Sequence, residues 1–236
     1  MTGPGENACQ RRGVSCGACC GIYNLTLGED DRSRLIRDRT AEFANVDLTQ
    51  AGSFASYRQA REAVEAGIPR FNAETYVCPF FGIPRGRDSA GCMVHPSITG
   101  NPHSQNFSFY GASICQTYDC PNKERDVNLV YSDYCSRFPE YARLMADTRF
   151  FNLLISLPGF LQTLAAALDG DPAERADWLS RLDALANARL LAPESQAVAS
   201  FEFRRFTNDE EELLDVFGHL NQFDRVRMLD TFRSLG

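Results

Sequence analysis

Three thiols fall within five residues at Cys16-Gly17-Ala18-Cys19-Cys20, and no other stretch constrains this chain so strongly. Five more cysteines follow (Cys78, Cys92, Cys115, Cys120 and Cys135), one precedes (Cys9), and none lies beyond Cys135. A lone buried cysteine behaves as a small hydrophobe. A Cys-x-x-Cys pair with a third thiol beside it instead directs several sulfurs to one neighbourhood. A soft cation is the physical reason to do that, because it gathers thiolates and displaces their protons. Gly17 lets the backbone close around such a centre.

The cysteine chemistry depends on the compartment. Residues 1–7 carry neither the apolar stretch nor the basic cluster of an export signal. The expectation is therefore a reducing cytoplasm, where clustered cysteines bind metal or do redox work more often than they form structural disulfides. An odd count of nine also argues against a fully paired disulfide framework. The sequons at Asn24 and Asn106 then read as chance matches. A net charge of −7, with few lysines and with arginines interspersed among acids, offers no footprint for nucleic acid.

Thioredoxin-like enzymes share the Cys-x-x-Cys spacing, but they place an apolar strand before it. Here Gln10-Arg11-Arg12-Gly13 precedes it and is polar, which favours the metal reading.

Periodicity predicts helices on either side of an irregular middle. Gly21 to Leu27 alternates weakly, as a short strand would. Gly28-Glu29-Asp30-Asp31 opens a helix through Leu35, Ile36 and Phe43. A second helix is expected from Ser53 as N-cap to Gly67, with Tyr57, Ala60 and Val64 on its inner face. Residues 68–122 are dense in Gly, Pro, Ser and Asn and carry four cysteines, so irregular loops are expected there. Loops of that extent need something to hold them, and metal cross-links would do so.

From Asp126 the pattern turns helical. The apolar run Phe150 to Leu168 is interrupted by Asn152, Ser156, Pro158-Gly159 and Gln162, which predicts two buried core helices rather than a membrane span. Asp171-Pro172-Ala173-Glu174 starts another helix, with Trp178, Leu182 and Leu185 at helical spacing. A short strand is expected over Val198 to Phe206, and Thr207 with Glu210 forms a capping box. A last helix puts Leu220, Phe223, Val226 and Leu229 on one face. The expected fold is mainly α, with helices around a loop-rich, metal-stapled cysteine-cluster core. The cysteine region takes residues 1–140 and a helical region 141–236.

Downstream of Cys-Gly-Ala-Cys-Cys come Leu25-Thr26, Cys78-Pro79-Phe80, Gly91-Cys92-Met93-Val94 and the closing pair Cys115 and Cys120. In this order the chain resembles the CxxCxxCC zinc- or iron-chelating domain family, bacterial cysteine-cluster proteins. A similar cluster in flagellin lysine N-methylase is associated with an iron–sulfur centre. The resemblance covers about residues 9–121. It departs in the longer spacing between Cys9 and Cys16, in His95-Pro96 where the family has Arg-Pro, and in the insert Ser97 to Gly111.

The resemblance implies metal ligation by Cys16, Cys19, Cys20, Cys78, Cys92, Cys115 and Cys120, with Cys9 as an eighth thiolate. That exceeds the four that one tetrahedral zinc or one iron–sulfur cubane takes. Two centres, or one with other cysteines nearby, are both open. Adjacent Cys19 and Cys20 are expected to point apart and serve different centres. The cofactor expected is an iron–sulfur cluster, with zinc as the alternative.

His95 sits at Cys-x-x-His spacing from Cys92 and reads as a loop residue, while His103 and His219 read as ordinary histidines. Cys135 reads as a buried thiol outside the cluster. No P-loop, GxGxxG, GxSxG or HExxH occurs, so no catalytic class is implied. The expected partner is a metal ion, with no nucleic acid and no membrane. A helical protein-interaction module and an iron–sulfur redox protein are the alternatives.

Overall fold

The computed structural model describes residues 14, 16–111, 115, 128–170, 172–192 and 216–236. Their fold is mainly helical and divides into two compact units, Met1–Cys120 and Pro121–Gly236.

In the first unit, Glu29, Asp30 and Asp31 open helix α1 (Glu29–Phe43), where their charge meets the positive end of the helix dipole. Its buried stripe is Arg32, Leu35, Arg39 and Phe43. Helix α2 (Ala51–Glu65) buries Phe54, Tyr57, Arg61 and Glu65. This helix starts before the expected Ser53 cap, and the Ser53 hydroxyl instead accepts the Asp47 N–H at 2.9 Å.

The inner face of α2 is also rotated from the expected one: Tyr57 is buried, but Ala60 is exposed and Val64 is 69% exposed. The physical reason is that Arg61 and Glu65 neutralise each other, which lets two charged residues take core positions that apolar counting assigns elsewhere. Phe43, Phe54, Tyr57 and Phe80 pack as an aromatic core, with centroids 5.1 Å apart for Phe43–Tyr57 and 5.4 Å for Tyr57–Phe80.

The expected strand at Gly21 to Leu27 does not form. Ala18–Cys20 and Ile22–Asn24 are single 3-10 turns, and Leu25 then makes one antiparallel bridge to Arg70. The buried Asn24 amide explains the departure: it donates to the Asn72 and Thr75 carbonyls and accepts the Asn72 N–H, bonds a strand partner would otherwise supply. Further along, strands β1 (Phe81–Gly82) and β2 (Gly91–Cys92) pair antiparallel with Phe81 opposite Cys92. A short helix α3 (Pro96–Thr99) and a 3-10 turn (Ser104–Phe107) follow within otherwise irregular chain.

The second unit holds α4 (Asn128–Cys135), a 3-10 segment (Pro139–Ala146), α5 (Thr148–Ile155), α6 (Phe160–Asp169), α7 (Pro172–Leu190) and α8 (Gln222–Arg233). The division falls at 120/121 rather than at 140, because α4 gives Tyr131, Tyr134 and Cys135 to this core. Asp147 caps α5 by accepting the Phe150 N–H, and its carboxylate pairs with buried Arg189 of α7 at 2.6 Å. Phe150, Phe151, Leu153, Leu154, Phe160 and Leu164 are all buried. Arg149–Ile155 and Phe160–Asp169 meet at a 92° bend, and no single helix among the described residues is long and apolar enough to cross a membrane.

Helix α7 begins at Pro172 as expected and buries Leu182 and Leu185. Helix α8 buries Met228 and Phe232, whereas the expected inner residues Phe223 and Val226 are 79% and 51% exposed. The strand expected at 198–206 and the capping box at 207–210 lie outside the described residues.

Candidate metal centre

Two glycines shape the backbone that carries the first cysteines. Gly21 has φ 69°, the left-handed region open to glycine, and a Cβ there would stand 2.4 Å from the Tyr76 carbonyl oxygen. That close approach lets the Cys78 N–H donate to the Cys20 carbonyl at 2.8 Å, so main chain alone brings two cysteines together. Gly17 lies flat on Phe81, whose ring carbon would be 2.6 Å from a Cβ at that position.

The sulfurs converge accordingly. Cys19 and Cys20 do not point apart: their Sγ atoms are 4.0 Å from one another. Hydrogen bonds to Cys19 and then to Cys78, reinforced by burial, push the Cys20 thiol well above its ordinary range. Cys78 is drawn down, first by the hydrogen bond from Cys20 and further by the Phe80 N–H and the charge of Arg39. Burial raises Cys92, and negative charge on Cys78 and Cys19 adds to it. Cys115 is raised by burial and by the same two neighbours, against a hydrogen bond with Ser108 at 3.5 Å. Cys19 and Cys78 thus lie within electrostatic reach of each other and of Cys20, Cys92 and Cys115, and none of the described cysteines is in a disulfide.

A buried ion-pair network fixes the Cys78 loop. Arg39, fully buried, donates from Nε and Nη2 to the two oxygens of Glu65 at 2.9 and 2.5 Å. Its Nη1 donates to the carbonyls of Cys78 and Phe81 at 3.2 and 3.4 Å. Tyr57 donates its hydroxyl to the Pro79 and Arg39 carbonyls, and the Thr40 hydroxyl accepts the Ile83 N–H. Loops that read as needing a metal staple are therefore tied by side-chain hydrogen bonds from α1 and α2. The missed signal was in the sequence: Arg39 lies four residues after Leu35 and four before Phe43, on the stripe that enters the core.

Aromatic residues border the thiols. Tyr110 donates its hydroxyl to the Tyr76 carbonyl at 3.1 Å and stands edge-on to Tyr76 at 5.1 Å. Burial raises its phenol, and charge on Cys78, Cys20, Cys115 and Cys19 raises it further. Phe109 packs on Tyr76 at 4.9 Å and remains 69% exposed.

The other expected residues fall as follows. Cys16 is buried at the start of the same turn. Cys9 and Cys120 lie outside the described residues. Cys135 is buried in the second unit and hydrogen-bonded with Tyr131, and burial raises its thiol. His95 caps α3: its Nδ1 accepts the Ser97 N–H at 3.2 Å and lies 2.7 Å from the Ser97 hydroxyl. His103 is exposed, and His219 Nε2 donates to the Ala188 carbonyl at 2.8 Å.

The donor set suits a thiophilic cation by chemistry and by the close Cys19–Cys20 pair. Among the described residues, however, no three His, Cys, Asp or Glu side chains already form a group that could hold a metal ion. No family model, no curated protein and no solved structure matches the chain.

Proposed function

We propose that this is an intracellular metal-binding protein of the cysteine-cluster type, whose thiolates chelate zinc or iron as an iron–sulfur cluster. The observation that carries the reading is the 4.0 Å separation of the Cys19 and Cys20 sulfurs, with Cys78 hydrogen-bonded to the second of them. A tetrahedral zinc with Zn–S bonds of about 2.3 Å sets neighbouring sulfurs about 3.8 Å apart. The adjacent pair therefore stands near the length of one edge of such a site, and a third and fourth sulfur have to move in to close it. Cys78, Cys92 and Cys115 are the near candidates. Cys16, Cys9 and Cys120 stay in the proposed ligand set on the strength of their spacing.

The edge length speaks against a cubane, each of whose irons takes a single thiolate, and fits equally zinc or the paired thiolates on one iron of a two-iron cluster. The nearly pure cysteine set, with Cys78-Pro79 and Cys120-Pro121, favours iron–sulfur. Zinc would supply a redox-inert cross-link, an iron–sulfur cluster one-electron chemistry.

Protein purified without oxygen, after expression with ample iron and zinc, is analysed for metal and acid-labile sulfide. Stoichiometric zinc in colourless protein supports the first form. Brown protein absorbing near about 400 nm, with sulfide, supports the second. Cys19→Ser lowers the metal content and Cys135→Ser leaves it unchanged. Reduced protein that carries neither metal and takes up neither overturns the reading.

A further inference from the structure

Cys20 and Cys78 are distant in sequence, yet both their backbones and their side chains meet. The Cys78 N–H donates to the Cys20 carbonyl at 2.8 Å, and the two thiols are hydrogen-bonded to each other as well. With standard bond lengths, that backbone bond holds the two Cα atoms within about 6.7 Å of one another. Disulfides span Cα separations of about 4.4–6.8 Å, so the pair stands within bridging range with its thiols already in contact. Neither residue is in a disulfide here.

The contact is held from both sides. Gly21, in the left-handed region, admits the Tyr76 carbonyl and seats that segment on the 3-10 turn Ala18–Cys20. From the helices, Arg39 donates to the Cys78 carbonyl and Tyr57 to the Pro79 carbonyl. Cys20 has a second neighbour in Cys19, at 4.0 Å, but that residue precedes it in a turn closed by the Cys20 N–H to the Gly17 carbonyl at 3.0 Å. A disulfide between sequence neighbours closes a small, strained ring and pulls Cys20 out of the turn. A bridge to Cys78 leaves the turn intact.

We propose that Cys20 and Cys78 form a peroxide-responsive disulfide latch, which ties the cysteine turn covalently to the Cys78 loop on oxidation and frees it on reduction. The latch does not rest on the metal-binding reading, because main chain sets the pair. Cys20 and Cys78 are 7% and 4% exposed, so the oxidant has to be small, and hydrogen peroxide is little larger than water.

One sulfur of the pair takes an oxygen from hydrogen peroxide and becomes a sulfenic acid, as the first water leaves. The other thiol attacks that sulfur: the S–S bond forms, the S–O bond breaks, and the thiol proton departs with the hydroxyl as a second water. The two thiols lose two electrons and the peroxide gains them. Glutathione reverses the step by thiol–disulfide exchange and is itself oxidised, so in a reducing compartment the bond is transient. While it lasts, it closes a loop of about 60 residues containing α1 and α2, which slows globally limited amide exchange there by up to about a thousandfold.

The test treats the full reduced chain with hydrogen peroxide in chelator-containing buffer, then digests it with trypsin without reduction. The expected product joins peptide 13–32 to peptide 71–85, which holds Cys78. Peptide 13–32 carries Cys16, Cys19 and Cys20, and fragmentation between Cys19 and Cys20 shows which of them bears the bond. The assignment stands if the bond maps to Cys20, survives Cys19→Ser and is absent from Cys20→Ser. A bond at Cys16 or Cys19, a bridge within peptide 13–32 alone, or no disulfide at all overturns it. Mapping the wild type needs no variant, so the test decides even if Cys20→Ser fails to fold. Amide exchange over Glu29–Phe43 is the second readout: it slows on oxidation and recovers with glutathione. Equal exchange in oxidised and reduced wild type overturns the latch even where the bond forms.

Discussion

Replacing Glu65 with Gln tests whether a buried charge network holds the cysteine loop. Two guanidiniums converge on this carboxylate: Arg39, with none of its side chain exposed, and Arg61, with 3% exposed, against 5% for Glu65. Glu65→Gln keeps the shape and removes the charge, leaving Arg39 with no anion and Arg61 with only Glu42. Breaking a buried pair by removing one partner costs about 3–5 kcal/mol, because the remaining charge is desolvated and uncompensated. Glu42→Gln is the matched control: it removes a carboxylate from the same Arg61 at 2.8 Å, but Glu42 is 49% exposed, so screening limits the loss to under about 1 kcal/mol.

The sole tryptophan, Trp178, lies in the second unit, so its fluorescence reports on the wrong half of the chain. Amide hydrogen exchange over Glu29–Phe43 reads the first unit directly. At about 1.4 kcal/mol per tenfold, Glu65→Gln speeds globally limited exchange there by roughly two to four powers of ten. Glu42→Gln speeds it by less than about one. The Cys78 amide, donated to Cys20, loses protection along with α1 because Arg39 no longer anchors the Cys78 carbonyl. Equal effects from the two substitutions would refute the reasoning, since Glu65 is buried between two guanidiniums and Glu42 is half exposed beside one.

Two further outcomes follow from local geometry. Gly21→Ala forces a side chain into the left-handed region and onto the Tyr76 carbonyl, so it destabilises the first unit by about 1–3 kcal/mol from backbone strain alone and weakens the Cys20–Cys78 link; unchanged exchange at the Cys78 amide contradicts this. Asp47 is held below the ordinary carboxylate range chiefly by the Thr49 hydroxyl, with the Thr49 N–H assisting, so its contribution to stability is present above the unfolded pKa and is lost as pH falls through the folded one. Thr49→Val should raise the Asp47 midpoint in a carbon-detected NMR titration toward the roughly 3.9 of a free aspartate; a midpoint that stays put contradicts the assigned cause.

Much of the helical framework was legible in the sequence. Acidic first turns, an Asp-Pro start and the interruption at Pro158-Gly159 are local signals, and they act on the backbone within a turn or two of where they occur. The run Glu29-Asp30-Asp31 marked the start of α1, and Pro172 marked the start of α7, for that reason. The spacing of Cys16, Cys19 and Cys20 likewise announced a thiol cluster before any coordinates did.

Which faces turned inward was decided only by tertiary structure. Counting apolar residues put Val64, Phe223 and Val226 inside, where all three are exposed, and gave no sign that Arg39, Arg61 and Glu65 are buried. A charged residue enters a core only when its counter-charge arrives with it. Arg39 and Glu65 are 26 residues apart on different helices, so no local window contains the pair. The same holds for the site. That Cys78 would meet Cys20 depended on Gly21 admitting the Tyr76 carbonyl, and that Cys19 and Cys20 would converge depended on the 3-10 turn Ala18–Cys20. Sequence determined which atoms could bind a soft cation. Long-range packing decided which of those atoms face one another and which one faces the solvent.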